Sequence, residues 1–93
     1  MNIAIMYELS LPALNDTVLN ELSSLGYMSS WTNSINGTKY NLPKFMVWKM
    51  NTTLQQGVMD IRGVVNRLNL TNPGLSLTKC ITLNAFPWDG ITG

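Results

Sequence analysis

Histidine is absent from this chain, and cysteine occurs once, at Cys80. Without imidazole there is no Ser-His-Asp or Cys-His catalysis, no histidine metal site and no general base of the usual kind. A lone cysteine excludes an internal disulfide and a thiolate metal cluster. Charge is scarce as well: charged residues make up 12% of the sequence, with a net charge of +1. That balance does not favour nucleic-acid binding through general electrostatics, which needs many phosphates neutralised. No apolar run approaches membrane-spanning length. The glycines are scattered, so no phosphate-binding loop can be assembled from them.

What is present fits one small domain spanning residues 1–93, with a short tail at 87–93. Hydrophobic residues account for 45%, which is ordinary for a globular chain. A domain of 93 residues buries a modest share of its surface. Its charge-poor exterior protects weakly against association. Both features favour a protein partner or a second copy, a homodimer, over a free monomer. Sequons occur at Asn15, Asn36, Asn51 and Asn69. The short apolar stretch at residues 3–6 makes no signal peptide, so the expected setting is cytoplasmic, with the sequons unused.

Residues 2–9 place Ile3, Ile5, Tyr7 and Leu9 on one side and the apolar Ala4 and Met6 on the other. A strand apolar on both faces belongs in the middle of a sheet. The spacing of Leu14, Val18, Leu22 and Leu25 predicts a helix over residues 13–25, with Pro12 tolerated in its first turn and Gly26 stopping it. Residues 27–31 and 45–50 read as two further strands. Between them, Asn36-Gly37 signals a type I′ turn and Pro43 interrupts the return arm. A long hairpin is the preferred reading, with a mobile functional loop over residues 32–43 as its rival.

The clearest element is a second helix over residues 53–68. Thr53 and Gln56 fit a capping box, and Leu54, Val58, Ile61, Val65 and Leu68 form one apolar stripe. Gly57 and Gly63 weaken that helix unless close packing requires them. The last strand, residues 75–85, puts Leu75, Leu77, Ile81, Leu83 and Ala85 on its apolar side and Cys80 on the other. Lys79 breaks this pattern, so a kink, a bulge or a snorkelling lysine is expected there. The order β-α-β-β-α-β is satisfied most simply by a ferredoxin-like α+β sandwich, with a four-stranded antiparallel sheet and both helices on one face.

The opening Ile3-Ala-Ile-Met-Tyr-Glu-Leu-Ser10, followed by an amphipathic helix ending in Leu25-Gly26, resembles the small ferredoxin-like proteins of the Cas2, VapD and SinR type. In those, a strand ending in Tyr-Asp-hydrophobic leads into the first helix. The resemblance implies dimers formed through the sheets and, in some members, nucleic-acid cleavage with an aspartate-bound metal. Glu8 occupies the aspartate position. Read from the residues alone, Glu8 is a solvated or salt-bridged strand-end glutamate; the alternative makes it a catalytic ligand for Mg²⁺.

The rings and methionines are the other candidates. In a two-layer sandwich one sheet face lacks helices, and Met46, Trp48 and Met50 share a strand face. Either they cover the monomer's own core edge or they form an apolar surface that a partner buries. The partner-binding candidates are Trp31, Tyr40, Lys44, Met46, Trp48 and Trp88. The expectation is a non-enzymatic protein-interaction module without a cofactor, of the kind a phage or mobile element uses to inhibit a host defence protein. A metal-dependent nuclease using Glu8 is the alternative. Base stacking on the rings would need a more basic surround than Lys44 and Lys49.

Overall fold

The computed structural model of the chain describes residues 1–85. Its central strand is β1, Ile3–Leu9, hydrogen-bonded antiparallel to β4 (Met46–Lys49) on one side and β5 (Leu77–Asn84) on the other. Ile3, Ile5, Tyr7 and Leu9 enter one core with Val18 and Leu22 of α1 (Asn15–Ser24) and Ile61, Val64, Val65 and Leu68 of α2 (Leu54–Asn69). Each aliphatic side chain of this size contributes about 1.5–3 kcal/mol when fully buried. Both helices therefore cover one face of the sheet. The class is α+β with antiparallel sheets. Among the described residues the main sheet has three strands, ordered β4-β1-β5, and a separate two-stranded sheet joins β2 (Ser30–Thr32) to β3 (Lys39–Asn41). No helix of the described residues is long and apolar enough to cross a membrane.

The first helix is shorter than its apolar spacing predicts. Pro12–Leu14 form a 3-10 turn, and the α-helix starts at Asn15. Leu25 is the C-cap residue and 42% exposed, so the buried stripe ends at Leu22. Gly26 then takes φ +94°, the left-handed conformation expected of a helix stop.

In α2 the Thr53 Oγ1 accepts from the Gln56 N–H at 3.1 Å, as a capping threonine does. The reciprocal half of the box is missing: the Gln56 side chain donates to Asp60 Oδ1 instead. The buried face is also rotated from the predicted stripe. Gly57, Ile61, Val64, Val65 and Leu68 face inward, while Leu54 is 38% exposed and Val58 half-buried. The rotation follows from Gly57, where a Cβ would overlap Ile3 Cδ1 and stand 3.2 Å from Thr82 Cγ2. Helix and sheet meet there because nothing lies between them. Gly63 has open space around it.

The strand predicted at residues 27–31 is reduced to one bridge. Met28 exchanges two backbone hydrogen bonds with Trp48, at 2.8 and 3.0 Å, on the side of β4 away from β1. The chain then leaves the main sheet to form β2, whose partner is β3 rather than β4. The Asn36-Gly37 signal does not make a type I′ turn, because Gly37 has φ +72° but Asn36 is not among the positive-φ residues. Asn33 organises the loop instead. Its Oδ1 accepts from Ile35 N–H at 2.8 Å, and its carbonyl accepts from Gly37 N–H at 2.8 Å.

The break expected at Lys79 is a bulge. Glu8 lies opposite Lys79 and Leu9 opposite Leu77, so Thr78 is the extra residue. One inserted residue exchanges the two faces of a strand from that point on. Leu77 packs on the core before the bulge, and Cys80 does so after it. Thr82 reaches the Leu54 carbonyl of α2 at 3.2 Å. Ile81 and Leu83, predicted on the core side, are turned away from the helices. Cys80, predicted opposite the core, points to it.

Candidate interaction surface

Register places the side chains of the helix-free face in matched rows. Met6 of β1 stands between Met46 of β4 and Ile81 of β5; Ala4 stands between Trp48 and Leu83. Glu8 pairs with Lys79 at the end of the same face. These rows divide into a covered half and an open half.

The covered half lies over β4. Trp48 is 8% exposed, and its indole N–H donates to the Ser30 carbonyl at 2.6 Å. Ala4, Trp48 and Ala85 are buried together, and Met28, Trp31, Leu42 and Met46 pack against them. Three of those four come from the segments flanking or forming the β2–β3 hairpin. The hairpin is folded onto this half of the sheet, where Trp48 serves as its floor. Trp31 stacks on Tyr40 across the hairpin, with centroids 5.4 Å apart and planes at 25°.

The open half lies over β5 and the Met6–Glu8 end of β1. Met6 is 45% exposed, Ile81 59% and Leu83 37%. At the Glu8 end this strip runs into an open groove of about 480 Å³, lined by Met6, Glu8, Pro43, Lys44, Met46 and Ile81 among others. Lys79 Nζ lies 3.9 Å from Glu8 Oε2, with both side chains mostly exposed. Such a surface pair contributes about 0–1 kcal/mol.

A buried asparagine holds one groove wall. Asn15 is 2% exposed. Its Oδ1 accepts from the Tyr7 hydroxyl at 2.7 Å, and its Nδ2 donates to the Lys44 carbonyl at 2.7 Å. The start of α1 is thereby tied to β1 and to the segment that enters β4. Burial pushes the Tyr7 phenol up to about 12. Tyr27, buried near the end of α1, donates to Asp60 Oδ2 at 2.6 Å. Burial first, and then the Asp60 carboxylate, push its phenol upward.

No protein-family model, curated protein or solved structure matches this chain.

The candidate residues separate into two groups. Trp31, Tyr40 and Trp48 belong to the hairpin and its floor. Lys44 and the half-buried Met46 line the groove, and Met50 is exposed beyond the end of β4. Trp88 lies outside the described residues, as does the tail at 87–93. As contact residues, Met6, Ile81, Leu83 and Lys79 of the open face are not singled out by the sequence pattern, nor is the buried hub Asn15. A signal for Met6 existed in the apolar outer side of β1. For Ile81 and Leu83 there was none, because the bulge had to be placed first.

Glu8 projects from the open face, opposite in direction to Tyr7 and Leu9. No group of three His, Cys, Asp or Glu side chains that could hold a metal occurs among the described residues. Burial pushes the Cys80 thiol up, against a weaker opposing pull from Arg62. A thiol held protonated is a poor nucleophile. The surface thus offers apolar contact with a pair of opposite charges at one end.

Proposed function

We propose that this chain is a non-enzymatic protein-interaction module, working in the cytoplasm, whose contact surface is the open strip of the main sheet. The observation that carries the reading is the adjacency of Met6, Ile81 and Leu83 on one helix-free face, each more than a third exposed. Clustered apolar side chains on a sheet are what a partner buries. The groove beside Lys44 and Met46 gives the strip a recess into which a side chain can fit.

The same reading takes the fold as ferredoxin-like. The order β4-β1-β5, with Met28 bridged to the outer side of Trp48, supports a four-stranded sheet whose second strand has shrunk to one bridge. The remainder of that strand serves the hairpin, which shelters Trp48.

Ile81→Asp is expected to weaken binding of the tagged full chain to its cellular partner about tenfold or more. Its thermal unfolding should stay close to that of the wild type, since exposed positions shift stability by about 0.5 kcal/mol. Ile35→Asp is the control, because Ile35 is 94% exposed in the loop between β2 and β3 and belongs to neither the strip nor the groove lining. Quantitative pull-down with both variants checks the reading. Equal capture by Ile81→Asp and wild type would remove the open strip as the contact surface.

A further inference from the structure

We infer that the polar groove between α2 and β5 binds a small phosphorylated molecule, with its phosphate monoester held by Arg62 and Lys79. The site is separate from the open strip and stands or falls without it.

The groove follows from the way α2 meets the last strand. At one end Gly57 lets the helix touch the sheet, and Thr82 Oγ1 donates to the Leu54 carbonyl at 3.2 Å. At the other end Asn69 Nδ2 donates to the Leu75 carbonyl at 2.9 Å. Between these two contacts helix and strand part, leaving a space of about 670 Å³. That is the size of a small-molecule site. Its bounded length suits a compact ligand better than a chain passing through.

The lining is cationic and rich in hydrogen-bond donors. Arg62, Asn66 and Asn69 recur at helical spacing along one side of α2, and Ser76, Thr78 and Lys79 form the opposite wall. No carboxylate is among the described lining residues. Arg62 is exposed and makes no hydrogen bond or ion pair with a described residue. Arg67 of the same helix, by contrast, is paired with Glu21. The Arg62 guanidinium acts on the Cys80 thiol, which places it at the β5 wall of the groove. Thr78 is the bulge residue, left out of the pairing with β1. A bulge re-aims a side chain, and this one delivers Thr78 to the groove.

Charge and donor number select the ligand. A phosphate monoester carries a charge of about −1.5 to −2 at pH 7 on three acceptor oxygens. Arg62 and Lys79 balance that charge, and the planar fork of the arginine matches two of the oxygens. Lys79 is held only loosely by Glu8, at 3.9 Å with its side chain 77% exposed, so its flexible stem is free to turn. A carboxylate would leave one of the two cations unmatched, and a nucleic acid calls for many more cations. Asn66, Asn69 and Ser76 remain for the hydroxyl groups of the ligand body.

Titration of the isotopically labelled full chain with glycerol phosphate, read by NMR at constant ionic strength, tests the site. Saturable shifts centred on Arg62, Asn66 and Thr78 are expected, and glycerol alone should produce none. Arg62→Gln should raise the dissociation constant about tenfold. Arg62→Lys keeps the charge without the fork and should fall between. Thermal unfolding without ligand should not distinguish these variants from wild type, since Arg62 has no partner to lose. Arg67→Gln is the control for general attraction of anions and should bind as wild type does.

Failure to saturate by about 10 mM glycerol phosphate overturns the inference. Equal losses in Arg62→Gln and Arg67→Gln do the same, because they reduce binding to net charge. So does tighter binding of a phosphoserine peptide, or of an oligonucleotide lacking a terminal phosphate, than of glycerol phosphate.

Discussion

Asn15→Ala is expected to lower the unfolding free energy by about 2–4 kcal/mol, although it exchanges one polar residue in an Asn-rich sequence for the best helix former. The gain in helix propensity at the first residue of α1 is small beside what is stranded. Both polar ends of the side chain are engaged, Oδ1 with the Tyr7 hydroxyl and Nδ2 with the Lys44 carbonyl, each at 2.7 Å. Truncation leaves the hydroxyl of Tyr7, a residue only 4% exposed, and a carbonyl of the incoming β4 segment without their partner. Orphaned polar groups of this kind cost about 1–3 kcal/mol each. Tyr7→Phe should cost less, about 1–2 kcal/mol, because it strands one group, Asn15 Oδ1, where Asn15→Ala strands two. In the Asn15→Ala background, Tyr7→Phe should cost little or gain, since the stranded hydroxyl disappears. Urea denaturation of the two single variants and the double variant measures that coupling. Additive losses would show that the two side chains act independently.

The burial of Tyr7 has an alkaline signature. Burial holds the Tyr7 phenol at about 12 against an ordinary value of 10.0. The folded state keeps the phenolic proton that the unfolded chain gives up. The stabilisation is therefore complete below about pH 10 and is lost as pH rises through about 12. Tyr27 is shifted in the same direction, so two phenols contribute to the alkaline limb. Tyr7→Phe should make the decline in stability above pH 10 shallower without abolishing it. A limb that is unchanged in Tyr7→Phe would exclude Tyr7 as a contributor.

How far the fold could be read from the sequence follows the range of the interactions involved. α2 was legible because a helix is specified locally: Thr53 caps its own turn, and the apolar residues repeat along a short window. Its inward direction was less legible, since that depended on Ile3 and Thr82 meeting Gly57 from strands far away in the chain. β1 was legible as a central strand from its two apolar sides. β5 was legible as a strand but its parity was not. The Lys79 break announced an irregularity, yet only the pairing with Glu8 and Leu9 shows that Thr78 is the extra residue. With the bulge unplaced, strict alternation puts Ile81 and Leu83 on the core side and hides two of the strip's three exposed apolar residues.

The middle of the chain failed for a related reason. Residues 27–31 carry a strand pattern, but Met28 and Trp31 have competing partners. Met28 bridges to Trp48, whereas Trp31 pairs with Tyr40 across a hairpin organised by the Asn33 side chain. Local turn chemistry pointed to Asn36-Gly37 and did not distinguish an Asn33-centred loop. Whether Trp48 covers the core edge or faces a partner turns on the hairpin that lies over it, which no local pattern places. Asn15 left no trace at all, because a polar residue off the apolar stripe reads as solvent-facing. Its burial depends on Tyr7 and Lys44 arriving from β1 and from the approach to β4.

The two glycines of α2 are expected to respond to alanine with opposite signs. Alanine in a helix interior is favoured over glycine by about 1 kcal/mol, in part through the entropy of the unfolded chain. Gly63 is exposed with open space around its Cβ position, so Gly63→Ala should gain up to about 1 kcal/mol. At Gly57 the same methyl would overlap Ile3 Cδ1, with Thr82 Cγ2 at 3.2 Å and Ile5 Cδ1 at 3.5 Å closing the alternatives. Ile3 and Ile5 are fully buried, and a side chain in a packed interior has few rotamers to yield. Overpacking costs about 1–3 kcal/mol, which outweighs the propensity gain and leaves Gly57→Ala destabilised. Gly57→Val adds a branched side chain at the same point and should cost more, forcing α2 away from β1. The obstructing atom can itself be removed: Ile3→Val deletes Cδ1, so Gly57→Ala combined with Ile3→Val should recover part of the loss. Chemical denaturation of these variants decides the matter. A Gly57→Ala protein as stable as Gly63→Ala would mean that the sheet gives way freely at Ile3, and that the rotation of α2 has another cause.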